Sequence, residues 1–127
     1  MFEYYIYFLV IYFIIDMIWI SLTSRFHKSA IEGVQKEPLA INMVSGTIYY
    51  ILVSFLMIYI ISQYAKSVDD AMKLGTIIAL LMFVTFDLTN KTVFKNYPYW
   101  YVAMDVAGGV TSIVLSLYIA TKLKFHQ

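Results

Sequence analysis

The chain has 127 residues, 61% hydrophobic and 13% charged, with a net charge of +1 and a mean hydropathy of +0.75. Soluble domains are about 45–50% apolar and about 25% charged, so this composition excludes an ordinary water-soluble fold and names lipid as the solvent. No large basic run is present, which argues against nucleic acid, and the lack of cysteine excludes disulfides, thiolate metal ligands and a cysteine nucleophile.

The first apolar segment, residues 2–22, is about as long as the roughly 20 residues a helix needs to cross a bilayer. It has no basic leader and no small-residue cleavage site, so it reads as a first transmembrane helix and not a removable signal peptide. Tyr12, Asp16 and Trp19 share one of its faces, while Tyr4, Tyr5 and Tyr7 suit an interfacial belt. Residues 23–38 are polar with Phe26, Ile31 and Val34 interleaved, and read as a short helix lying at the interface. Pro38 suits the first turn of a second span, residues 39–63, whose early turns carry Asn42, Ser45, Gly46 and Tyr49. A brief loop leads to Asp69 and Asp70, which complement the dipole at the start of a third span, residues 71–92. Lys95-Asn96-Tyr97-Pro98 makes a tight turn into a fourth span, residues 99–121. Tyr97, Tyr99, Trp100 and Tyr101 read there as an aromatic belt, more anchors than ligands. Gly108, Ser112, Ser116 and Ala120 recur every four residues, a small-residue ridge for helix packing, with Gly109 beside it.

These elements predict an all-α integral membrane protein: one domain over 1–127, an antiparallel bundle of four transmembrane helices, and an interfacial segment between helices 1 and 2. Alternating spans put both termini on one side, and the 23–38 and 93–98 loops on the other, called side B. Asp16, Asp87 and Asp105 then lie at one depth, about 8–12 Å below side B at the helical rise of 1.5 Å per residue. Asn42, Ser45, Thr89 and Asn90 fall in the same slab. Within the third span, Asp87, Asn90 and Lys91 share a face at i, i+3 and i+4.

Three carboxylates in one dry layer cannot all be ionised, because like charges repel and burial favours the neutral acid. Protons or a cation must join them. Lys91 is an internal candidate, and Arg25 and His27 become candidates if the side-B segment folds back. A blander role stands beside this one. Neutral Asp, Asn and Thr also hold helices together by hydrogen bonds, at about 0.6–2 kcal/mol each. His27 and His126, isolated in different segments, read as solvated, and no metal site is expected.

At these residues the chain resembles an uncharacterised family of small predicted membrane proteins, domain of unknown function 2177. The resemblance rests on Asp16-Met17-Ile18-Trp19 in the first span, Thr85-Phe86-Asp87-Leu88-Thr89-Asn90 in the third and Asp105-Val106-Ala107-Gly108-Gly109 in the fourth. Phe86 stands where the family pattern has tyrosine, and Gly108 where it has tryptophan. The resemblance implies four spans and a role for the three aspartates, and it carries no activity.

The expected site therefore comprises Asp16, Asp87, Asp105, Asn90, Thr89, Asn42 and Trp19. The leading expectation is a small proton- or cation-linked transporter or channel. The alternatives are a structural subunit of a larger membrane assembly and an intramembrane lipid-modifying enzyme, the latter disfavoured by the lack of a nucleophile or His-rich pattern. No cofactor is expected. The expected partners are the lipid bilayer and either further copies of the chain or a larger complex.

Overall fold

The computed structural model describes residues 1–125 and is helical throughout its regular structure. Among the described residues there are five helices: α1 (Phe2–Leu22), α2 (Ser24–Gln35), α3 (Met43–Tyr64), α4 (Val68–Val93) and α5 (Tyr99–Phe125). All but α2 are long and apolar enough to cross a membrane, so the chain is a four-span, multi-pass integral membrane protein. His126 lies outside the described residues.

Local chemistry sets the boundaries. Thr23 ends α1, its hydroxyl donating to the Trp19 carbonyl at 2.7 Å, and its own carbonyl accepts from the amides of Phe26 and His27. One residue thus closes one helix and opens the next, folding α2 across the side-B ends of α1 and α5. Lys36 ends α2 in the left-handed region, with φ 61°. The second span is shorter than expected at its start. Residues 39–42 are not helical, so Pro38 is not in its first turn; instead the Asn42 side chain caps α3 by accepting from the Ser45 amide at 3.0 Å. The third span begins earlier, because the Ser67 hydroxyl caps α4 at the Asp70 amide. The fourth continues to Phe125, which brings Lys122 and Lys124 into its last turn, where cations suit the dipole.

The four long helices form a ring in the order α1, α3, α4, α5, and among the described residues the backbones of diagonal helices stay apart. The closest pairing is α4 with α5, and the thinnest is α3 with α4. Glycines beside the small-residue ridge explain the first, while the ridge itself, Gly108, Ser112, Ser116 and Ala120, is buried within this one chain. A Cβ at Gly75 of α4 would overlap Leu117, and one at Gly109 would overlap Phe83. Such approach maximises van der Waals contact, the main force between helices in lipid. On the side-A half, Phe8 and Tyr12 stack at 5.5 Å and the Tyr4 and Thr121 hydroxyls bond at 2.5 Å.

Helix α3 docks unevenly. Its buried residues, Ser54, Met57, Ile58 and Ile61, all lie toward side A. Its first turns, Met43 to Ile48, are largely exposed and stand away from the ring. This splay leaves a wedge-shaped cavity of about 1230 Å³ on the side-B half, lined from all five helices.

Candidate functional site

Every internal carboxyl lies near the polar end of that wedge. Asp16, 8% exposed on α1, accepts a hydrogen bond at its Oδ2 from the Tyr50 hydroxyl of α3 at 2.6 Å. Tyr50 is held in turn by edge contacts with Tyr12 and Phe13, and the Tyr12 and Tyr49 hydroxyls bond at 2.8 Å. Asp87 on α4 is 0% exposed; its Oδ1 accepts from the Tyr97 hydroxyl, while its Oδ2 has no hydrogen-bond partner among the described residues. Asp105 on α5 is half-buried and lines the same cavity as Asp16. Three helices thus each place one carboxyl at this end of the bundle.

The imidazole of His27 completes it from above. Its Nδ1 shares a hydrogen bond with the Tyr101 hydroxyl at 2.8 Å, the two rings standing perpendicular. Its Nε2 is buried without a partner. Burial pushes the imidazole below its ordinary 6.5, and the negative charges of Asp16 and Asp87 partly offset that. Tyr97 is raised above the ordinary phenol value, first by burial and then by its bond to Asp87. His27 is therefore not solvated, contrary to expectation, because α2 folds back over the bundle.

Other expectations change as well. Lys91 does not pair with Asp87: its ammonium lies 4.6 Å from the Tyr99 ring centroid and 3.5 Å from the Lys95 carbonyl. Residues 97–101 are more than a belt. Tyr97 and Tyr101 are buried and serve Asp87 and His27, while Tyr99 and Trp100 face outward. Asn90 is half-buried, but Thr89 is exposed on the opposite face of α4. Asn42 is exposed and occupied in capping α3.

Trp19 lines the wedge beneath α2, and its Nε1 is buried without a partner. A Cβ at Gly108 would overlap its indole, so the glycine of α5 makes room for the tryptophan of α1.

Sequence reasoning passed over Tyr50 and read Tyr97 and Tyr101 only as belt anchors. Tyr101 had a readable signal, lying four residues before Asp105 and so on the same helical face. Tyr97 follows Asp87 across a turn anchored by the Phe94 carbonyl and the Tyr97 amide, a path no periodicity reports.

Carboxyls bonded to phenols, with an imidazole bonded to a third phenol at the same end of the bundle, can store protons, pass them along, or hold a cation. Among the described residues, no three His, Asp or Glu side chains are grouped to bind a metal ion. Fold and cluster together define a small four-span membrane protein with a polar pocket set in an apolar bundle. The chain belongs to the DUF2177 family of predicted membrane proteins, whose model matches residues 1–121. No curated protein and no solved structure matches it.

Proposed function

We propose that this protein is a small proton- or cation-linked transporter whose working group is Asp16, Asp87 and Asp105 with His27. The observation that carries this reading is that Asp16 and Asp105, from two different spans, line one cavity, with Asp87 of a third span buried nearby. In lipid such groups are costly unless they pair or face an aqueous or ligand-filled space. A purely adhesive role would leave every buried carboxyl oxygen hydrogen-bonded. Asp87 Oδ2 has no such bond.

The charge balance supplies the mechanism. Neighbouring carboxyls cannot all ionise, so the group holds protons until a cation replaces one of them. Proton and cation then compete for the same negative charge, and exchange between them links the two fluxes. His27 and Tyr101 stand between the carboxyls and side B, where they can relay protons.

Purified protein in liposomes, challenged with opposed pH and cation gradients, tests this. Flux that is lost in Asp105→Asn supports the transporter. Absence of flux in both proteins would return the family to the structural-subunit or lipid-modifying reading.

A further inference from the structure

The shape of the wedge says more than its charge. A cavity of about 1230 Å³ exceeds the roughly 300–1,000 Å³ of common small-molecule sites, and a bare proton or inorganic ion needs almost none of it. Its walls are apolar along most of their length, formed by side chains such as Val10, Phe13, Ile51, Met82 and Phe86. Several of these are also exposed to the lipid face, so the wedge is open sideways where α3 stands off the ring. Polar groups collect at one end only, at Asp16, Asp105, His27 and the phenols of Tyr50 and Tyr101.

On that basis, and resting on the carrier reading above, we propose that the wedge binds a long-chain alkylammonium amphiphile. Its single apolar chain lies along the α1–α3–α4 walls and its cationic head sits between Asp16 and Asp105. Charge complementarity selects the head. The cavity is lined by two carboxyls, Asp16 and Asp105, and one imidazole, with no lysine or arginine. A cation there gains from both acids and from the faces of surrounding rings, whereas an anion would meet only like charge. The fully buried, unpartnered Asp87 Oδ2, behind Asp105, marks unsatisfied acceptor capacity at that end. Entry is lateral, from the leaflet, through the gap beside α3.

Gly46 offers a way to test the chain-binding half without touching the acids. It lines the wedge, and a Cβ placed on it meets nothing within 4 Å. Gly46→Phe should therefore fill the space with little strain on the fold.

The experiment measures binding of radiolabelled dodecylammonium to the full chain in phosphatidylcholine nanodiscs, with empty nanodiscs subtracted. The expected result is saturable binding, weakened about tenfold or more in Gly46→Phe and likewise in Asp105→Asn. Dodecanol and dodecanoate should compete poorly. Dodecanoate or dodecanol competing as well as the amine would overturn the cationic head. Wild-type affinity in Gly46→Phe with unchanged melting, or binding no greater than in empty nanodiscs, would overturn the wedge as the site. The liposome assay separates the two readings. Saturable amine binding without flux keeps this inference and ends the carrier, whereas flux without amine binding does the reverse.

Discussion

The indole of Trp19 on α1 lies across Gly108 on α5, in the space that any side chain at 108 would need. Both positions flank the carboxyl group, Trp19 three residues after Asp16 and Gly108 three residues after Asp105. The contact therefore fixes the register of the two helices that carry those acids. Gly108→Val should displace the indole and cost about 1–3 kcal/mol of stability, as overpacking does. A lower melting temperature in detergent, with quenching or shift of tryptophan fluorescence, would report it.

The bond from Tyr97 to Asp87 reaches back ten residues across the α4–α5 turn. Tyr97→Phe leaves a fully buried carboxyl with neither oxygen paired, a loss of about 1–3 kcal/mol. Tyr99→Phe, on the exposed outer face, should cost far less. Equal melting of the two variants would show that the Asp87 bond does not hold the turn.

The four spans could be read from the sequence because their cause is simple: runs of about 20 apolar residues have no other solvent. Helical rise gave an expected common depth for Asp16, Asp87 and Asp105. Rotation about each helix axis was not legible. Thr89 sits in the same slab as Asp87 yet faces outward, and Asn42 was spent on a cap. Lys91 has the spacing to meet Asp87 but finds the Tyr99 ring instead. The fold-back of α2 turned on the single residue Thr23, whose double role no hydropathy pattern reveals.

The ridge of α5 is buried inside the chain. Ser112→Leu should therefore lower the melting temperature, by an overpacking cost of about 1–3 kcal/mol, without changing the mass of the particle in detergent. Loss of mass with unchanged melting would place the ridge between copies.

The docking of α2 should depend on pH through His27, which faces Asp16, Asp87 and Tyr101. Its imidazole titrates below 6.5 when docked, so the released helix takes up a proton more readily than the docked one. Falling pH through about 6.5 and below therefore favours release, and docking is complete above it. The chain has no cysteine, so a spin label at Ser29→Cys is unique. Label mobility should rise on acidification in wild type, and His27→Gln should abolish that response.

The central claim is that the carboxyls of different spans form one interacting group, and infrared titration tests it most directly. Interacting acids lose their protons as a set, so the wild-type carboxyl band should disappear over a broad, stepped pH range. In Asp87→Asn the bands of Asp105 and Asp16 should move in frequency and titrate over a narrower range. If the remaining bands titrate in the variant as they do in the wild type, the three acids act independently, and the shared site is contradicted.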